Sequence, residues 1–194
     1  MADASPWLIV GLGNPGARYA RTRHNVGFMA VEAWAESVLP TRPSWTEKWK
    51  GLTTSVSCKG QRCVVLRPQT YMNRSGESVV AAAQFHRVSP PQIVVVHDEI
   101  DFPLGRFAIK KGGGHGGHNG LRDIVQQLGS ADFLRLRLGV GRPVHGEVAD
   151  YVLSDFSPDE QGPVLDMVER AATALTCMMT DGVVMAMNKF NTLL

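Results

Sequence analysis

Ile93-Val94-Val95-Val96-His97-Asp98-Glu99 decides the fold. Four consecutive β-branched residues show neither the alternation of a half-exposed strand nor the period of a helix. Such runs belong to strands covered on both faces, as in parallel sheets with helices on either side. The run ends in three polar residues, His97-Asp98-Glu99, at the end of a strand where open α/β sheets place their sites. Working outward, Trp7–Val10 is a second short apolar run feeding a glycine-rich loop. Leu52–Ser57 and Cys63–Leu66 flank a Lys59-Gly60 turn as a hairpin, Arg106–Lys110 reads as another strand, and Phe133–Val140 alternates Leu with Arg as a strand with one wet face.

Helical spacing appears from Val26 to Leu39, stopped by Pro40. It recurs from a Ser75 cap to about Arg87, with Val79, Val80, Ala83 and Phe85 inside, and in Asn119–Leu128, closed by Gly129. Pro158 opens a long C-terminal helix, and a short one follows near Val183–Lys189. Strands alternating with helices, without a linker-like stretch or an internal repeat, give one α/β domain over residues 1–194. Its mixed twisted sheet is flanked by helices, with a helical C-terminal segment.

Composition narrows the function classes. The chain has 194 residues, 44% hydrophobic and 20% charged, which fits a packed globular domain and excludes disordered or fibrous chains. No apolar run approaches the roughly 20 residues of a membrane span, and the N-terminus lacks a signal-peptide pattern, so the expectation is a cytoplasmic protein. Cys58, Cys63 and Cys177 form no CxxC pair and read as reduced thiols. The net charge of +2 conceals an asymmetry. Residues 1–142 carry 18 of the 20 Lys+Arg and 10 of the 18 Asp+Glu, a formal +8, while residues 143–194 carry a formal −6. Basic excess of that kind suits a polyanionic partner.

Three familiar patterns occur without the context that their chemistry requires. Gly11-Leu12-Gly13-Asn14-Pro15-Gly16 matches the dinucleotide fingerprint GxGxxG, the signature of an oxidoreductase. That motif needs a helix to begin inside it, whereas Ala17–Asn25 carries three arginines and no apolar stripe. Ile93–Glu99 resembles a magnesium-holding strand, but no GxxxxGK[ST] loop accompanies it. His115 and His118 are spaced three apart in a glycine loop with no nearby acid or thiol pair, which is weak for zinc.

The polar residues gather instead on four loops after or between strands: Gly13–Asn25, Gln69–Ser75, His97–Asp101 and Gly112–Asn119. They supply His24, Asp98, Asn14, Asn73 and Asn119. A carboxylate such as Asp98 accepting from one nitrogen of His24 fixes the tautomer and leaves the other nitrogen as a base. With no GxSxG elbow and no reactive-Cys motif, water is the expected nucleophile. Asparagine amides and glycine-loop N–H groups suit an oxygen that becomes negative.

The sequence closely resembles bacterial peptidyl-tRNA hydrolases. The resemblance rests on Gly11–Phe28 (GLGNPGARYARTRHNVGF), Thr70–Gly76 (TYMNRSG), Val94–Gly105 (VVVHDEIDFPLG), Lys111–Ile124 (KGGGHGGHNGLRDI) and Phe133–Pro143 (FLRLRLGVGRP). It implies hydrolysis of the ester joining a peptide to the 3′-terminal ribose of tRNA, with His24 as the base and Asp98 as its supporting acid. Asn14, Asn73 and Asn119 match substrate-contacting asparagines, and Tyr19, Tyr71 and Met72 match positions lining the crevice. Lys110, Arg135 and Arg137 fall where the family places basic contacts to tRNA. Ala108 departs from the pattern, standing where a family member can carry Lys, and Arg106 is the nearby substitute. The implied partner is the acceptor arm and 3′ end of peptidyl-tRNA, bound by a monomer without cofactor or metal. A non-catalytic RNA-binding relative of the same fold is the alternative.

Overall fold

A computed structural model of the protein describes residues 5–191. The apolar run becomes strand β5 (Ile93–Glu99), buried from Ile93 through Asp98. It pairs in parallel with β1 (Trp7–Gly11) on one side and β7 (Leu134–Gly139) on the other. β1 also pairs in parallel with β4 (Gln61–Pro68), which forms the hairpin with β3 (Gly51–Cys58) about Lys59-Gly60. Two short strands complete the edges: β2 (Thr46–Lys48) antiparallel to β3, and β6 (Phe107–Lys111) antiparallel to β7. The result is one seven-stranded mixed sheet in the order β2-β3-β4-β1-β5-β7-β6.

Alternate residues of the central strands feed two cores. Ile9, Val94 and Val96 point to the side covered by α1 (Val26–Val38), α5 (Pro158–Thr180) and α6 (Val183–Phe190). Leu8, Val10, Ile93 and Val95 point to the side covered by α2 (Ser75–His86) and α3 (Asn119–Leu128). Apolar cover on both faces is the reason that the β5 run needs no polar alternation. The acidic tail opens α5 through a capping box, in which Ser157 and Glu160 satisfy each other's backbone N–H groups.

Several local expectations are corrected. Ser75 is the first residue of α2 rather than its cap: its hydroxyl donates back to the Met72 carbonyl. The free N–H of Gly76 is met from outside by Asp123 of α3, at 2.7 Å. Phe85 is 68% exposed and packs outside the core on Trp49 and His86. The expected wet face of Phe133–Val140 is dry at Arg135, which is 3% exposed. The sequence reading also passed over β2 and the five-residue α4 (Val148–Val152).

Candidate active site

Two glycines place the catalytic candidates. A side chain at Gly11 would meet the Gly27 carbonyl at 2.5 Å, and one at Gly27 would meet the Val96 carbonyl at 2.4 Å. The first turn of α1 therefore rests directly on the ends of β1 and β5, an approach that only glycine permits. The single turn of 3-10 helix before it, Arg23–Asn25, is set over the polar end of β5. The glycines of GxGxxG thus serve close packing and a turn. Gly13 lies against the Phe28 ring, Gly16 takes φ 99°, and the helix starts only at Val26. This geometry offers no helix N-terminus inside the motif for a pyrophosphate.

His24 and Asp98 meet there, both buried, with Nδ1 of His24 2.8 Å from Oδ1 of Asp98. The same carboxylate oxygen lies 2.8 Å from Nε2 of His118. Burial alone would push the Asp98 carboxyl up. The charges and hydrogen bonds of His24 and His118 outweigh it and hold Asp98 well below the usual carboxylate range. His118 is also the N-cap of α3, its Nδ1 accepting from Leu121 N at 3.3 Å. The cap therefore assigns the proton of a neutral His118 to Nε2, where it donates to Asp98. Beneath it His97 is pulled down to about 3, by burial first and then by its neighbour His118, and stays neutral.

The ligand-type atoms of His24, Asp98 and His118 lie within 4.8 Å of one another. The donor chemistry does not fit a metal in this arrangement. Nε2 of His118 carries the proton that its cap dictates, and the 2.8 Å separations are those of hydrogen-bonded pairs.

Asn14 is held by three bonds. Its Oδ1 accepts the Met72 N–H at 2.8 Å, its own N–H donates to Asn25 Oδ1 at 2.8 Å, and its carbonyl accepts from Asn25 Nδ2 at 2.9 Å. With Oδ1 committed, the amide nitrogen is the end of Asn14 that can meet a ligand. Tyr19 and Tyr71 stand edge to face with centroids 6.4 Å apart. Met72 is buried among the residues of the α2–α3 core, and Asn73 is exposed on the following 3-10 turn.

On the other side of His24 opens a crevice of about 400 Å³. Its lining includes His24, Asp98, Lys110, Asn119, Arg135 and Arg137. Asn119 begins α3 and holds Arg122 at 2.9 Å. Lys110 is exposed, and Arg137 pairs with Glu99 at 3.0 Å over the Phe102 ring. Arg106 stacks on Phe102 as well, which leaves Lys110 and Arg137 as the cations on the crevice wall beside Arg135. The Ala108 departure lies opposite Arg137 in the β6–β7 ladder.

Three contributors escaped the sequence reading. His118 was weighed only as a weak metal ligand, although its position directly before a helix marks it as a cap. Asn25 follows His24 and locks Asn14. The acidic tail, which holds none of the expected site residues, clamps the loop that carries His24. Glu160 bonds Arg23 at 2.9 Å, Arg23 stacks on Tyr151 and Phe156, and Thr22 bridges to Asp155.

Comparison with known proteins shows the family. The family model described as Peptidyl-tRNA hydrolase matches residues 8–193. A peptidyl-tRNA hydrolase of Geobacter sulfurreducens is 46% identical over 186 residues, covering 95% of this chain and 94% of the relative. That of Syntrophotalea carbinolica is 48% identical over 185 residues, covering 95% and 96%. The crystal structure of peptidyl-tRNA hydrolase from Acinetobacter baumannii superposes with a TM-score of 0.90 at 39% identity, covering 99% of this chain and 98% of that one. The chain belongs to the peptidyl-tRNA hydrolase family.

Proposed function

We infer that this protein hydrolyses the ester between a peptidyl group and the 3′-terminal ribose of tRNA, returning the tRNA for reuse. The observation that carries the reading is the His24–Asp98 pair, with Nδ1 engaged and Nε2 left as the second nitrogen of a ring that lines the crevice. Nε2 takes a proton from water as the water oxygen bonds to the ester carbonyl carbon. Asp98 stabilises the imidazolium that forms. The amide nitrogens of Asn14, Asn73 and Asn119 are the donors for the resulting oxyanion. Collapse breaks the bond to the 3′ oxygen, which takes the proton from His24, leaving a tRNA 3′-hydroxyl and a peptide carboxylic acid that releases its proton to solvent.

Lys110 and Arg137 suit the phosphates of the acceptor arm, a duplex recognised through shape and backbone. Tyr19 and Tyr71 flank the side of the site where the peptide lies. The scheme uses neither cofactor nor metal. A single-domain monomer in the cytoplasm is the form in which we place it. Among the described residues no helix is long and apolar enough to cross a membrane.

The test is release of peptide from a purified N-acetylaminoacyl-tRNA, with and without EDTA, beside the His24→Ala variant. Hydrolysis by the wild type in EDTA and its loss in the variant support the reading. Equal rates in the two proteins overturn it.

A further inference from the structure

Arg135 sits on β7 opposite Val95 and Lys110 and is 3% exposed, although it lines the crevice together with Arg137 of the same strand. Each terminal nitrogen of its guanidinium donates to one of two consecutive carbonyls of the glycine loop, while Nε finds no partner among the described residues. Nη1 donates to Gly114 O at 2.6 Å and Nη2 donates to Gly113 O. The plane of the group rests on the Phe133 ring, 4.9 Å from its centroid.

The loop has need of such a tie. Gly112, Gly113, Gly116 and Gly117 all have positive φ, and a run of glycines loses more chain entropy on ordering than any other residue. Its first residue is fixed by Gly112 N to Phe133 O at 2.9 Å. Its end is fixed by His118, through Asp98 and the α3 cap. Between those ends, among the described residues, the loop's hydrogen bonds to the body of the protein are the two from Arg135.

We propose that Arg135 is a positioning residue that latches the glycine loop 112–117 and, through it, holds His118 against Asp98, in place of the tRNA contact that the resemblance suggests. The inference rests on the His24–Asp98 reading for its effect on rate, but the latch itself is measured independently of activity. Arg135→Met keeps volume and removes the fork. Arg135→Lys keeps the charge but loses the planar two-nitrogen fork that matches the two carbonyls.

Hydrogen exchange, followed by mass spectrometry, should show residues 112–118 exchanging at least tenfold faster in Arg135→Met and by an intermediate factor in Arg135→Lys, with β5 unchanged. The salt dependence of binding to deacylated tRNA should keep its slope, and kcat should fall about ten- to a hundredfold with KM within about twofold. Unchanged exchange of the loop in either variant overturns the latch. So does a salt slope reduced by about one in Arg135→Met, which marks a phosphate contact. If Arg135→Met does not fold, Arg135→Lys carries the test alone, because a phosphate contact predicts no loosening of the loop in it. Loss of the latch without any change in kcat would overturn the part of the proposal that carries the latch through His118 to Asp98.

Discussion

The side-chain amide of Asn25 is bonded at both ends to the backbone of Asn14: Oδ1 accepts its N–H at 2.8 Å, and Nδ2 donates to its carbonyl at 2.9 Å. The residue after the candidate base therefore sets Asn14, the candidate substrate contact. Replacing it with aspartate keeps the acceptor and turns the donor into a second acceptor, so a carboxylate oxygen confronts the Asn14 carbonyl in a buried place. Asn25→Asp should cost about 1–3 kcal/mol in urea denaturation. It should also lower kcat/KM about ten- to a hundredfold by displacing Asn14. Wild-type activity in a folded Asn25→Asp protein would show that Asn14 is positioned by something else.

Removal of the base itself separates chemistry from binding. His24→Ala should lose roughly 10²–10⁴-fold in kcat, the usual contribution of a positioned base. Binding of deacylated tRNA should be retained, because the cations assigned to tRNA, Lys110 and Arg137, belong to β6 and β7. Single-turnover hydrolysis and a filter-binding titration give the two numbers. A parallel loss in both would make His24 part of the scaffold.

How much of this was legible follows from what is local. The β5 run, the β1 run and the Val26–Val38 helix announce themselves because their apolar spacing alone requires cover on two faces or one. His24 and Asp98 are 74 positions apart; their places on polar loops at strand ends suggest the pair, the family motifs support it, and the structure brings them to 2.8 Å. The Leu-Arg alternation of β7 misled because charge was taken as exposure. What keeps Arg135 dry is a pair of carbonyls 21 and 22 residues earlier in a loop without regular structure. β2 was missed because all three of its residues are exposed, which leaves no apolar pattern to read. The −6 tail looks inert because no motif lies in it, yet it buttresses the turn that carries His24 through tertiary contacts.

That buttress gives a pH-dependent prediction. Burial would raise the Glu160 carboxyl, but its bonds from Ser157 N and from Arg23 outweigh burial and lower it. A carboxyl that is lower in the folded than in the unfolded state adds stability above its unfolded value, near about 4.3, and loses it as pH falls toward the folded value. Glu160→Gln should therefore destabilise the protein at pH 7, by about 1–3 kcal/mol since Arg23 is left buried without its counter-charge. The deficit should shrink below about pH 4. Urea midpoints of the two proteins from pH 7 to pH 3 measure it. A deficit independent of pH would assign the effect to packing.

The cations assigned to tRNA should differ in what their loss reports. Lys110 is exposed on the crevice wall, and Arg137 is shared with Glu99 at 3.0 Å. Each phosphate contact contributes about 0.7–0.9 to the slope of log affinity against log salt. Lys110→Ala should therefore weaken binding and flatten that slope by about one. In Arg137→Ala the same loss is joined by a second effect, because Glu99 then faces the incoming phosphates as an unpaired carboxylate. Arg137→Ala should accordingly bind more weakly than Lys110→Ala at low salt, and the double replacement Arg137→Ala with Glu99→Gln should recover part of the difference. Titrations at several salt concentrations decide it: recovery identifies Glu99 as the group that Arg137 masks, and slopes equal to wild type in both single variants would move the RNA surface away from β6 and β7.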